Sequence, residues 1–359
     1  MMRRSRAILP LLAAGLLLPA LAAAGHGVPV VPAATPTGPA AATADPAPAA
    51  AVVATGAAEA ALRTVELDAA VFGRSGSLRT RLARPGEAVS LPLHWPLERP
   101  ARVVYRWIPI LATPGGGSSG RLGSGDEAAA PLAPGVYELE LGTGTAVRRF
   151  GGDHRLVVTV PFERKRNGFI GGYFMGSWPT EGQARTDRYA PPAGFIEVTR
   201  ENQGLRLSEH FSLREFLTHD QGAIWPKYVV VDPLLIDKLE LVMRELEAMG
   251  VPAWRMVVMS GFRTPQYNRR GLDQGRASLS RHQYGDAADV WVDNDGDWYM
   301  DDLNRDGRRD TADAAVMLEA VERVESRHPG LIGGAGTYPD NGAHGPFIHV
   351  DVRGSRARW

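Results

Sequence analysis

The sequence predicts an α+β chain in two folded parts, a β-rich part followed by a part mixing helix and strand. Three observations carry this. Short alternating segments, such as Val103-Val104-Tyr105-Arg106-Trp107, residues 136–141 and residues 156–160, are separated by turns rich in Gly, Pro and Ser, as paired strands are. Further on, Leu235, Leu239, Val242, Leu246 and Met249 recur at helical spacing after an Asp232-Pro233 start. Finally, Ser280-Arg281-His282-Gln283-Tyr284-Gly285-Asp286-Ala287-Ala288-Asp289 runs straight into an apolar strand, Val290-Trp291-Val292.

Composition limits the partners. The 44% hydrophobic content of the 359 residues supplies packed cores. Formal net charge is zero, so no global field draws nucleic acid or an anionic membrane, and neither is expected as a partner. The basic run Arg164-Lys165-Arg166 reads as solvated surface. There is no cysteine, which removes disulfides, thiolate ligands and a lipid anchor on cysteine.

Taken in order, residues 1–24 read as an export signal: Arg3, Arg4 and Arg6, a short apolar core, then Ala22-Ala23-Ala24 as a cleavage site. The apolar run falls short of the ~20 residues of a membrane span. A periplasmic or secreted protein without a stable anchor is expected. Residues 25–61, mostly Ala, Pro, Thr, Gly and Val, are expected to be a disordered spacer. Residues 62–166 should form a small all-β accessory domain, sandwich-like, with a flexible loop at 115–125. No catalytic set assembles there, and His94 and His154 read as surface or packing histidines.

Residues 167–200 read as a Gly/Pro/aromatic connector, and the second domain as residues 201–359. Ser212 and Glu215 make a capping box for a short helix. His210 and His219 lack partner spacing and read as structural. A longer helix begins at Asp232-Pro233 and stops near Gly250. A strand at 255–259 then leads into Ser260-Gly261-Phe262-Arg263-Thr264-Pro265.

His282 and Asp289, with His349 from Phe347-Ile348-His349-Val350-Asp351-Val352, make two histidines and a carboxylate, a usual protein ligand set for catalytic zinc. Strand alternation puts Ile348, Val350 and Val352 toward the core, and His349 with Asp351 toward a cleft.

The pattern Ser-x-His-x-x-Gly-x-Ala-x-Asp, filled by Ser280, His282, Gly285, Ala287 and Asp289, resembles the first motif of the zinc D-Ala-D-Ala carboxypeptidases and related murein endopeptidases. The segment 260–265 with Tyr267-Asn268, and the ending from His349 to Trp359, are similar to that family too. The resemblance covers about residues 197–359 and implies several things. Zinc would be held by His282, Asp289 and His349, and Arg263 would stabilise a developing oxyanion. The fold would be hedgehog/DD-peptidase-like, a small antiparallel sheet with helices on one side. The substrate would be peptide in bacterial peptidoglycan.

The general base is less defined. Many relatives carry a His-x-His pair or an acidic residue shortly before the last ligand, where this chain has Phe347 and Pro346. His344 and Asp351 remain as the two alternatives, and Asp351 could instead orient a ligand. The motif does not separate a D,D-carboxypeptidase from an endopeptidase. The alternative reading is a non-catalytic zinc-containing module that binds cell-wall peptide or protein.

An acidic insertion spans 293–313. Counting from Asp302, oxygen donors fall at Asp302, Asn304, Asp306, Asp310 and Asp313, with Gly307 at the sixth place and the Arg308 carbonyl after it. That spacing suits a calcium loop, so calcium is expected beside zinc. Asp293, Asp295, Asp297 and Asp301 could begin a second, overlapping site. A helix should follow over 314–325.

Overall fold

A computed structural model of the chain describes residues 49–68, 73–110, 116–152, 154–183 and 189–359. The expected export signal and the spacer up to residue 48 lie outside the described residues. The rest of the spacer is a correction, because Ala49–Thr64 is an α-helix. Alanine-rich sequence has the highest helix propensity, and the end of this helix has something to cover. Leu62 and, just beyond, Val65 are buried with Trp107, Tyr137 and Leu141 in the core of the β-rich part.

That part is one six-stranded sheet. Its order is Thr80–Ala83, Arg155–Val158, Gly135–Thr143, Val104–Ile110 and Ser119–Arg121, with Ala146–Phe150 also on Gly135–Thr143. All pairings are antiparallel except that between Thr80–Ala83 and Arg155–Val158. Two short ribbons, Ala88–Ser90 with Glu127–Ala129 and Glu66–Leu67 with Leu93–His94, complete it. The expected sandwich is thus a single sheet with ribbons and a helix, and the expected loop at 115–125 contains an edge strand.

The connector is also more structured than its sequence suggests. Phe169–Ile170 pairs with Tyr173–Phe174, and Gly194–Val198 lies between Val160–Pro161 and Lys227–Val229. Tyr173, Met175, Trp178, Phe195 and Ile196 are buried in a core that also holds Leu78, Val136 and Val157 of the β-rich part and the helices and strands beyond residue 200.

The C-terminal part is built on a five-stranded sheet ordered Met256–Ser260, Ala287–Val292, Phe347–Asp351, Gly334–Tyr338, Ala357–Arg358. The first four pair antiparallel and the last is parallel. Two helices, Pro233–Ala248 and Thr311–Arg327, pack on each other, and the second packs on the Gly334–Tyr338 and Phe347–Asp351 strands. The first starts as its sequence predicts: the Asp232 carboxylate accepts from Leu234 N at 2.9 Å with Pro233 at the first helical position. Leu235, Leu239, Val242 and Leu246 are fully buried. Among the described residues, no helix is long and apolar enough to cross a membrane.

Candidate metal centre

The motif around Gly285 is a turn that delivers two side chains to one point. Residues Arg281–Tyr284 form a single 3-10 turn, and Gly285 caps it at φ +74°, a left-handed conformation that L side chains avoid. A Cβ at this position would also collide with the carbonyl oxygen of Val230. The chain then enters the Ala287–Val292 strand, every residue of which is buried. Ala287 and Ala288 are small enough to pack there with no exposure.

This strand pairs with Phe347–Asp351 so that Asp289 lies opposite His349. On its other side Ser260 lies opposite Asp289, after a register shift between Val258 and Ser260, the kind of irregularity that re-aims a side chain.

The result is a triangle. His282 Nε2 is 3.2 Å from Asp289 Oδ1 and 3.2 Å from His349 Nδ1, and His349 Nδ1 is 3.0 Å from Asp289 Oδ1. Ligand atoms ~2.0–2.2 Å from a tetrahedral zinc stand roughly 3.3 Å apart. The three atoms therefore fit one face of such a site. Among the described residues, this is the one group containing histidine that could hold a metal ion.

The other ring nitrogens fix the tautomers. His282 Nδ1 lies 2.7 Å from the Gly261 carbonyl, which can only accept, so Nδ1 carries the proton and Nε2 faces the site as a lone pair. His349 Nε2 lies 3.1 Å from Asp351 Oδ2 and donates to it, leaving Nδ1 for the site.

Burial, opposed by Asp289 and reinforced by Arg263, holds the His282 pKa down at about 4, so the ring is neutral as a metal ligand must be. Burial pulls His349 down too, but its hydrogen bonds to Asp289 and Asp351 outweigh that and raise it. The Asp289 carboxylate is opposed by burial, yet His282, His349 and Arg263 hold it well below the usual range.

Asp351, open from the sequence between base and ligand-orienting carboxylate, is placed against the His349 ring rather than in the lining of the cleft. It shares a strand face with His349, as alternation predicts, but lies fully buried behind the ring. Besides His349, its oxygens accept from Gly334 N at 2.7 Å and from Arg353 Nε at 2.9 Å. Lys238 Nζ, itself fully buried, holds the Asp351 carbonyl at 2.8 Å and Glu325 at 2.6 Å. The end of the strand bearing His349 is thereby tied to both helices.

Arg263 and His344 line a cleft of about 860 Å³ that also contains His282, Asp289 and His349. Arg263 donates through Nη2 to the second oxygen of Asp289 and through Nε to Ser260 Oγ at 2.8 Å, and its own N–H donates to the His282 carbonyl at 3.0 Å. The guanidinium thus stands beside the ligand set. His344 Nδ1 donates to the Gly345 carbonyl at 2.8 Å, leaving Nε2 as a basic lone pair. Its ring meets Phe347 edge-on at 4.8 Å.

Two further cleft residues are given no role by the sequence. Trp359 sits 5.3 Å from the His349 ring. His219, read as structural, also lines the cleft. It is brought there because Thr218 Oγ1 donates to the Phe262 carbonyl at 3.0 Å and accepts from Thr264 N at 3.1 Å, pinning the two turns together. His210 does take a structural part, with Nδ1 2.8 Å from Glu240.

The acidic insertion departs from expectation. The carboxylates of Asp302, Asp306, Asp310 and Asp313 are not among the metal-compatible groups of the described residues. They accept hydrogen bonds from backbone. Asp302 accepts from Asp306 N and Gly307 N, and Asp306 accepts from Arg308 N at 2.8 Å. Asp310 caps the helix Thr311–Arg327, and Asp313 completes its capping box while accepting from Leu303 N and Asn304 N. Short acidic side chains cap helix N-termini in this way without a cation. Asn304 donates to Asp306 at 3.2 Å. Asp293, Asp295 and Asp297 do converge, but Asp293 is paired with Arg255 at 2.9 Å and Asp297 with Arg309 at 2.6 Å. The expectation of calcium gains no support.

Residues 209–319 match the family model described as Peptidase M15, a stretch that includes Arg263, His282 and Asp289 and stops before His344 and His349. No curated protein matches the chain, and no solved structure does. The match falls on the Ser280–Asp289 motif and the turn at Arg263, so residues 209–319 are similar to the Peptidase M15 family, that of the zinc D-Ala-D-Ala carboxypeptidases.

Proposed function

We infer that the chain is an exported zinc metallopeptidase that hydrolyses peptide bonds in bacterial peptidoglycan, as a D,D-carboxypeptidase or an endopeptidase. The observation that carries this reading is the His282–Asp289–His349 triangle, with Arg263 beside it, in a cleft large enough for a peptide. Zinc bound there would polarise the scissile carbonyl and acidify a water.

The chain's own residues do the rest. Gly261 and Asp351 orient the two imidazoles. Arg263 places a fixed cation beside the point where negative charge would develop. His344 is the base in this reading, since its Nε2 is free among the described residues, whereas Asp351 is enclosed behind His349.

One observation favours the alternative of a non-catalytic binding module: neither Pro346 nor Phe347 offers a base, and Asp351 is turned away. The two readings part in a single experiment. Purified muropeptides are incubated with the protein, with chelator, and after zinc add-back, and products are identified by mass. Cleavage lost with chelator and restored by zinc is expected. No cleavage by zinc-loaded protein would leave the binding module. Exchanging His344→Gln should then lower kcat at least about 100-fold while zinc content is retained.

A further inference from the structure

The cleft is unevenly charged. Arg263, Arg276, Arg281 and Arg353 line it, against Asp289 as the carboxylate among its lining residues. Three of the four arginines are matched. Arg263 is bonded to Asp289, Arg281 holds Asp286 through Nε at 3.0 and 3.1 Å, and Arg353 holds Asp351. Arg276 has no carboxylate partner among the described residues. Its Nη1 donates to the Tyr267 carbonyl at 2.9 Å, and its guanidinium lies 4.5 Å over the Tyr267 ring.

Arg276 is nonetheless held in place. Its backbone N–H donates to the Gly271 carbonyl at 3.0 Å, and its side chain crosses Gly271 so closely that a Cβ there would collide with it. A guanidinium stacked on an aromatic ring, with one edge engaged and the other without a partner among the described residues, is pre-organised to take a carboxylate in its fork. The neighbouring wall is His219, whose pKa is lowered by burial and then by Arg263 and Arg276, so Arg276 is close enough to these groups for its charge to be felt.

We propose that Arg276 anchors a carboxylate of the peptide substrate and so determines which stem peptides the cleft accepts. This rests on the peptidase reading of the same cleft. The carboxylate has two possible sources, the C-terminus of the peptide or an acidic side chain within it. Either would meet the one cleft arginine without a carboxylate partner among the described residues.

The test uses a synthetic stem pentapeptide in three forms: free acid, C-terminal amide, and side-chain amide. Binding is measured calorimetrically on the chelator-treated full-length chain, where turnover is absent, and kcat and KM on the zinc-reloaded protein. Wild type should bind the free acid about ten-fold or more tighter than one of the amides, as expected for a charge-assisted pair. Which amide is weakened identifies the source.

Arg276→Gln should abolish that preference and raise KM by a similar factor with kcat little changed, while Arg276→Lys should keep part of it. Zinc content and melting temperature should stay at wild-type values in both. A wild type indifferent to amidation, or an Arg276→Gln protein that keeps the preference, overturns the proposal. Absence of cleavage by zinc-loaded wild type would instead sink the peptidase reading, while the binding arm still decides the role of Arg276.

Discussion

Asp351 illustrates how a residue's role depends on which side of a ligand it occupies. Its carboxylate accepts from His349 Nε2, and Arg353 and Gly334 hold it there. A support of this kind fixes the ring and raises ligand basicity. Replacing Asp351 by Asn should therefore weaken zinc binding about 10- to 100-fold, read by competition with a chromogenic chelator. Turnover lost with zinc affinity intact would instead make Asp351 the base. Gly285 is equally constrained, since it combines a positive φ with a carbonyl where a Cβ would go. Gly285→Ala should cost about 3 kcal/mol in denaturant unfolding. A cost under about 1 kcal/mol would show that the turn relaxes freely.

At the scale of elements, the site is a product of strand register. Asp289 faces both His349 and Ser260 across neighbouring strands, and a slip of one residue would turn each of them to the opposite face of the sheet. The turn and strand around Gly285 were legible in the sequence because a glycine, small residues and an apolar run stand next to one another there. The helix at Asp232-Pro233 was legible for a similar reason, a cap beside a periodic stripe. The acidic insertion shows the limit of spacing. Asp302 to Asp313 match a calcium loop in sequence, and in the structure Asp310 and Asp313 cap the following helix. The same oxygen-bearing residues serve turns, helix caps and cations, and a sequence does not say which donors they meet.

Across the whole molecule, the two parts are not independent. Leu78, Val136 and Val157 of the β-rich part share a core with Phe195, Leu239 and Val290. Asp237, fully buried in the long helix, accepts from Arg74 N at 2.7 Å and Ser75 N at 2.8 Å. Leaving such a charge without those partners would be costly, so the two parts should unfold together. Scanning calorimetry is expected to give one transition over residues 49–359. Two resolved transitions would restore the picture of a separate accessory domain.

The sequence by itself was enough to single out His282, Asp289 and His349 as a candidate metal group, the turn at Gly285 and the family that residues 209–319 match. The turn and its two flanking residues His282 and Asp289 depend on residue types at short fixed spacings, which local backbone geometry enforces, whereas His349 was marked by its own strand segment. Only the tertiary structure decided that Asp351 lies behind His349, that Arg276 is the cleft arginine without a carboxylate among the described residues, and that His219 and Trp359 reach the same cleft. Those facts depend on which distant segments come to lie together. Burial and the pairing of charges across such segments settle them, and no spacing along the chain encodes either.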